Sequence, residues 1–400
     1  MGISLIFLIA GLIILIGFLG SFSFEKTKVP DVLLLLSIGI ILGPILKLVD
    51  PHQLTQFAEY FGSLALMIIL FEGGMDMDID KLLKEFGTAS VLVFISFILS
   101  TLCIAFYLYY TYAWELVRSL LLGSILGCTS AAIVIPVANR MMIKDEIKIL
   151  LSVESALSDV IAIIMTVSIV EFVKLEHIGI EQPFRAVASS FSIAIVAGVL
   201  SGLSWLKILE IFKNRKYSYM TTLATMLIIF AIVDFLGGSG PIAILIFGII
   251  LGNSHDFNRF LKIKDHNLVD ETIKFINGEV SFFVRTFFFV YMGMIISFKL
   301  INTQFFLLCF ALLLIIILMR YISVTITGFI YKDKKKDRFA MLSMLPRGLA
   351  SAVLAIIPAS ANIKGTEVFI DYTFGVVVLT NILMTVGVFI TEKKAQAKIS

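Results

Sequence analysis

The sequence predicts an all-α polytopic membrane protein of about thirteen transmembrane helices, arranged as an inverted repeat of helices 1–6 and 8–13, with two crossed, unwound helices (5 and 12). Three observations carry this expectation. The 400-residue chain is 59% hydrophobic and 15% charged, against about 45–50% and about 25% in soluble domains. Apolar runs near the roughly 20 residues that cross a bilayer recur along its whole length. Short sequences in the first half also return, in order, in the second.

The predicted spans centre on residues 3–20, 31–49, 57–75, 88–110, 118–139, 147–172, 185–206, 217–236, 239–253, 275–298, 304–331, 339–360 and 367–391. The first lacks a basic leader and a small-residue cleavage pattern, so it reads as a retained helix. The third and ninth are short or polar at one end. The fifth, LLGSILGCTSAAIVIPVANR, is interrupted by Gly127, Thr129, Ser130 and Pro136. The sixth carries Glu154 and Asp159. The tenth carries Arg285 among phenylalanines, and the eleventh carries Arg320. The twelfth, AMLSMLPRGLASAVLAIIPAS, is interrupted by Pro346, Gly348 and Pro358. Proline removes a backbone donor and clashes with the preceding turn. In lipid such breaks survive only where protein or a water-filled cavity satisfies the freed groups.

The repeats fix the symmetry. LSIGIILGP (36–44) returns as LIFGIILGN (245–253), and GGMDMDI (73–79) weakly as MGMIISF (292–298). SAAIVIP (130–136) returns as SAVLAIIP (351–358), and IIMTV (163–167) as ILMTV (382–386). Each match links helix n to helix n+7, so the copies lie in opposite orientations. One membrane domain (1–400) then divides into a first repeat (1–172), a connector helix (185–206) and a second repeat (217–391). Paired broken helices in an inverted repeat are the sequence mark of a midplane binding site in secondary transporters.

Lys and Arg crowd one set of loops, including RMMIKDEIK (140–148), KILEIFKNRK (207–216) and YKDKKKDR (331–338). The positive-inside rule makes that side cytoplasmic. The expected orientation in the cell membrane is N-terminus outside and C-terminus inside.

The chemistry lies in residues 152–167, SVESALSDVIAIIMTV. Carboxylates are costly inside a bilayer and mark function or pairing. Ser155 and Asp159 are i, i+4 neighbours, as are Glu154 and Ser158. Asp159 and Ser155 can thus aim oxygens beside the broken backbone at Thr129–Ser130, a donor set suited to an alkali cation. Glu154 lies about 140° around the helix from Asp159, and Arg347 in the second broken helix is its expected partner. Arg285 needs an acceptor, either helix-end carbonyls or Asp159. Glu72 and Arg320 read as structural or vestibule charges, Glu279 is a further charge within a span, and Asp76 and Asp234 lie near helix ends. Cys103, Cys128 and Cys309 form no CxxC pair, and no disulfide framework is expected. No nucleophile–base pair, phosphate loop or metal set points to an enzyme or a cofactor, and no nucleic-acid partner is implied. No soluble regulatory domain is expected after residue 392.

ESALSDV, GCTSAAIVIP, LPRGLASAVLA and FEGG at Phe71–Gly74 resemble the monovalent cation:proton antiporter superfamily, in its sodium/proton exchanger (NhaP-like) branch. The resemblance covers nearly the whole chain. It implies a homodimer with elevator-like alternating access. It also implies a core part, 88–172 and 304–391, with dimerisation helices from the remainder. Asp159 matches that family's essential ion-binding aspartate. Glu154 and Arg347 match its conserved ion pair, and Ser155 and Thr129 match its ion ligands. Arg285 resembles the basic residue that replaces a lysine in electroneutral members. Two positions depart: Ser158 stands where Asn is usual, and Ser130 where Asp is usual. Sodium, lithium and potassium all remain open as the cation.

The implied mechanism is competition. A dehydrated carboxylate favours its neutral form, so Asp159 would hold either a proton or a cation. One-for-one electroneutral exchange follows if only the neutralised site crosses. A cation channel, an ion-sensing protein on the same fold and a bile-acid-type symporter are the alternatives.

Overall fold

A computed structural model describes residues 3–27, 31–48, 51–77, 79–174, 181–211, 218–261, 271–295, 302–330 and 338–396. Every regular element among them is helical. In chain order these are α1 (Ile3–Thr27), α2 (Asp31–Ile40), α3 (Pro51–Asp76), α4 (Ile79–Tyr112), α5 (Leu116–Gly127), α6 (Ala131–Arg140), α7 (Asp145–Lys174), α8 (Glu181–Ile211) and α9 (Ser218–Phe235). They continue as α10 (Gly240–Gly252), α11 (Ser254–Leu261), α12 (Glu271–Ile295), α13 (Thr303–Ile330), α14 (Arg338–Ser343), α15 (Leu349–Leu354), α16 (Ile357–Ser360) and α17 (Phe369–Gln396). A wider π turn, Ile41–Ile45, extends α2 around Pro44.

Among the described residues, seven stretches are long and apolar enough to cross a membrane: Gly87–Tyr112, Leu116–Arg140, Asp145–Val173, Ala188–Ile211, Ile273–Ile295, Thr303–Ile330 and Phe369–Lys393. Shorter apolar helices accompany them. The chain is a multi-pass membrane protein. The basic segments 212–217 and 331–337, on which the expected orientation leans, lie outside the described residues.

Both expected breaks are present. The α5–α6 run opens at Cys128–Ser130, whose backbone is extended at Cys128 and Ser130. The α14–α15 run opens between Ser343 and Leu349, around Pro346. Thr, Ser and Pro favour this because hydroxyls compete for backbone groups and proline cannot donate.

The chain forms two compact units. One comprises 1–62, 85–170 and 285–400; the other comprises 63–84 and 171–284. In the first, α2 packs backbone to backbone on α12. A Cβ on Gly39 would overlap the Val290 carbonyl and lie 2.7 Å from the Gly293 Cα, and one on Gly43 would lie 2.6 Å from the Met294 Cα. In the second, α10 packs the same way on α3. A Cβ on Gly248 would lie 2.6 Å from the Phe71 carbonyl oxygen, and one on Gly252 would lie 2.7 Å from the Met75 Cα. The repeats place Gly39 over Gly248, Gly43 over Gly252, Gly293 over Gly74 and Met294 over Met75. The same four positions therefore make the same contact twice. Close backbone approach through glycine is how helices associate when no hydrophobic drive separates side chain from lipid.

Gly39→Ala and Gly248→Ala should each lower stability by about 1–3 kcal/mol, the usual cost of overpacking, less up to about 1 kcal/mol of gained helix propensity. Gly11→Ala in α1, where a Cβ would meet nothing within 4 Å, should be neutral or stabilising. Thermal unfolding in detergent compares the three.

Candidate functional site

The two breaks meet. The Ser130 amide donates to the Pro346 carbonyl at 2.9 Å, so each unwound segment satisfies a backbone group freed in the other. They approach closely enough that a Cβ on Gly348 would overlap the Ser130 Oγ. Gly348 is there because nothing larger fits.

The middle of α7 lies against this crossing. Ala131 is the first residue of α6, and its amide donates to Asp159 Oδ2 at 3.1 Å. A helix N-terminus leaves such donors unpaired and favours an anion. Asp159 Oδ1 is shielded and has no hydrogen-bond partner among the described residues. The carboxylate is thus held through Oδ2 by the backbone, while Oδ1 is buried without a geometric partner and the Cys128 thiol lies within reach of the group.

The hydroxyls around it are differently employed from the expected ligand set. Ser158 Oγ lies 3.0 Å from the Thr129 amide, which donates to it, 3.0 Å from Thr129 Oγ1, and 3.1 and 2.9 Å from the Thr129 and Ser155 carbonyls. Thr129 Oγ1 donates to Glu154 Oε1 at 3.2 Å. Ser155 Oγ donates to the Ser152 carbonyl at 3.1 Å. Thr129 and Ser158 therefore pin the unwound segment to α7. Cys128, which sequence reasoning passed over, is buried beside them with its Sγ 3.3 Å from Ser351 Oγ in α15. Its place next to the break was the available signal.

The expected Glu154–Arg347 pair is corrected. Glu154 is bound by Arg320 of α13 through two parallel bonds, Nη1 to Oε1 at 2.7 Å and Nη2 to Oε2 at 2.9 Å. Both side chains are essentially buried, at 2% and 1% exposure. The Arg320 Nε donates to the Met341 carbonyl at 3.0 Å. Arg347 instead donates from Nε to the Leu126 carbonyl and from Nη1 to the Leu345 carbonyl, both at 2.8 Å. Leu126 lies in the last turn of α5, where carbonyls lack helical partners and carry the negative end of the dipole. Arg347 needs no carboxylate because the broken backbone supplies acceptors. Its own amide and carbonyl are held by Thr380 (3.1 Å) and Asn381 (2.8 Å) of α17. Arg285 is placed against Asp31 of α2 at 4.0 Å, rather than against Asp159 or helix-end carbonyls.

A multi-pass helical protein whose two broken helices cross beside one open carboxylate belongs to the ion-coupled transporters, in which half-helix ends and a midplane acid form the site. Comparison with known proteins narrows the class. The family described as sodium/hydrogen exchanger, transmembrane, matches residues 11–394, and the chain belongs to that family. Na(+)/H(+) antiporter 1 of Methanocaldococcus jannaschii is 27% identical over 374 residues, covering 89% of this chain and 84% of that protein. K(+)/H(+) antiporter NhaP2 of Shewanella baltica is 25% identical over 409 residues, covering 99% of this chain and 67% of that protein. The solved structure of the sodium proton antiporter MjNhaP1 from Methanocaldococcus jannaschii at pH 8 superposes with a TM-score of 0.81. It has 25% sequence identity over 98% of this chain and 99% of the other.

Proposed function

We propose that the chain is a secondary active antiporter that exchanges a monovalent cation for H⁺ by alternating access, with Asp159 as the shared binding group. The observation that carries this is the split role of the Asp159 carboxylate: Oδ2 is fixed by the Ala131 amide and Oδ1 is unpartnered. An open carboxylate oxygen takes a proton or a cation, and each excludes the other. Ser155 oxygen lone pairs and the Thr129–Ser130 backbone complete the oxygen set. Ser158 and the Thr129 hydroxyl hold that set in place. Arg347 and the Glu154–Arg320 pair brace the crossing.

The inverted repeat, with the connector at 185–206, is supported by the matched glycine contacts. The core part, 88–172 and 304–391, contains both broken helices, and the remaining helices would form the dimerisation part of a homodimer in the cell membrane, N-terminus outside. No cofactor is needed. The transported species are H⁺ and an alkali cation, Na⁺ first, with Li⁺ and K⁺ as the other candidates that the relatives' names and the Ser130 and Ser158 positions keep open.

The test is proton release from proteoliposomes after pulses of Na⁺, K⁺ or Li⁺ across a pH series. Competition fixes the sign: where the site is mostly protonated, the cation KM should rise about tenfold per unit fall in pH, because each bound proton must leave first. The maximal rate at saturating cation should change much less. Clamping the membrane potential should leave turnover unchanged, since no second carboxylate adjoins Asp159. A current with no pH gradient, or a KM indifferent to pH, counts against obligatory exchange.

A further inference from the structure

Each unwound segment is gripped at one residue, through both its backbone groups, by the long helix that follows it. In the first break, Ser158 Oγ of α7 accepts the Thr129 amide at 3.0 Å and lies 3.1 Å from the Thr129 carbonyl. In the second, two residues of α17 divide the task. Thr380 Oγ1 accepts the Arg347 amide at 3.1 Å, and Asn381 Nδ2 donates to the Arg347 carbonyl at 2.8 Å. Thr129, Ser158, Arg347, Thr380 and Asn381 are all buried.

The side chains of α17 suit this grip. Thr380 directs its own proton to the Val376 carbonyl one turn back, at 2.8 Å, which leaves lone pairs for the Arg347 amide. Asn381 gives its amide hydrogens to Arg347 and, at 2.8 Å, to the Val377 carbonyl. Its Oδ1 has no hydrogen-bond partner among the described residues, so the residue serves as a donor. The repeat does not supply these two residues. The offset that superposes IIMTV (163–167) on ILMTV (382–386) sets Ile161 against Thr380, Ala162 against Asn381 and Ser158 against Val377. The second half therefore carries a grip of its own, and the residue it holds differs from Thr129 in bearing a guanidinium. That group donates from Nε to the Leu126 carbonyl, one turn or less before the Cys128–Ser130 break.

We propose that Thr380 and Asn381 are positioning residues for the cation site and act through Arg347. By fixing its peptide they aim the guanidinium at the end of α5, and that contact sets where the Thr129–Ser130 oxygens stand relative to Asp159. The inference rests on the antiport reading. Outer-shell partners that orient metal ligands are typically worth about 10–100-fold in affinity or activity, and a grip acting at one further remove falls at the low end.

The experiment measures the midpoint of Na⁺- and K⁺-induced thermal stabilisation in detergent, beside the cation KM and maximal rate of proton flux in proteoliposomes. Thr380→Val keeps the shape and removes the acceptor. It should raise the cation midpoint and KM about tenfold, with a smaller change in maximal rate, and Asn381→Ala should do the same. Thr380→Ser keeps the acceptor and should stay near wild type. In an Arg347→Gln background there is no guanidinium to aim, so adding Thr380→Val should shift the midpoint by less than about twofold. If Thr380→Val does not fold, Asn381→Ala takes its place in both backgrounds. If Arg347→Gln alone abolishes the cation response, the contrast between valine and serine at 380 decides, and equal midpoints overturn the proposal. A less stable cation-free protein with an unchanged cation midpoint and KM makes the two residues structural only and overturns it. A full tenfold shift in the Arg347→Gln background overturns it too, because the grip would then act without the guanidinium. A wild-type protein with neither cation-induced stabilisation nor cation-driven flux defeats the antiport reading instead.

Discussion

Asp159→Asn should remove cation-driven proton movement entirely, a loss of at least about 100-fold and down to background, while leaving a folded protein. The fold survives because asparagine keeps an oxygen where Oδ2 accepts the Ala131 amide at 3.1 Å, and that contact anchors α7 to the start of α6. Function is lost because an amide is neutral at every pH. It offers no anionic ligand at the position of Oδ1 and carries no exchangeable charge, so neither half of the cycle can proceed. Asp159→Glu keeps the charge but pushes it one methylene further toward the crossing. It should retain reduced flux with a changed cation preference, since misplacing a reacting group by about 1 Å costs on the order of 10²-fold. Dye-reported proton flux in proteoliposomes, beside thermal unfolding of the same preparations, separates loss of function from loss of fold. Residual cation-dependent flux in Asp159→Asn would move the binding group elsewhere.

Much of this site was legible because its signals are local. Gly127, Thr129 and Ser130 in one span, and Pro346 and Gly348 in another, disfavour uninterrupted helix, and the breaks fall beside them, whereas Pro136 lies inside α6. Asp159 stood out because the bilayer penalises an idle carboxylate. What was not legible was the choice of partners. Two arginines, at 320 and 347, could each have met Glu154, and sequence spacing does not distinguish them. The structure does, through an asymmetry of acceptors: Arg347 sits at the frayed end of α5 and takes main-chain carbonyls, whereas Arg320 lies in the unbroken α13, whose backbone groups are already paired. A guanidinium inside an intact helix needs a carboxylate; one at a broken helix does not. The hydroxyls have a second use that spacing alone does not show. Ser158 and Thr129 are short enough to satisfy the unwound backbone and each other. Asp31 was hidden because its partner is distant in sequence and the contact depends on helix packing that the glycine repeats suggest but do not locate.

Breaking the Glu154–Arg320 pair should be the costliest single change for stability. Both ions are withdrawn from water, and the two bonds at 2.7 and 2.9 Å are what offset that withdrawal. Removing one partner strands the other, which typically costs about 3–5 kcal/mol. Arg320→Gln and Glu154→Gln should therefore each lower the thermal midpoint sharply. The double variant should be less damaged than their sum, because no bare charge remains. The coupling from a double-mutant cycle should be about 0.5–3 kcal/mol, the range for contacting residues. The same cycle between Glu154 and Arg347 should give a much smaller term, since those two side chains share no hydrogen bond. Arg347→Gln would act separately, by leaving the Leu126 and Leu345 carbonyls short of a donor at the crossing. It should therefore impair transport more than its effect on Glu154 predicts. Equal coupling in the two cycles would mean that Glu154 divides its charge between both arginines, and the brace would then extend directly from α13 through α7 to the second broken helix.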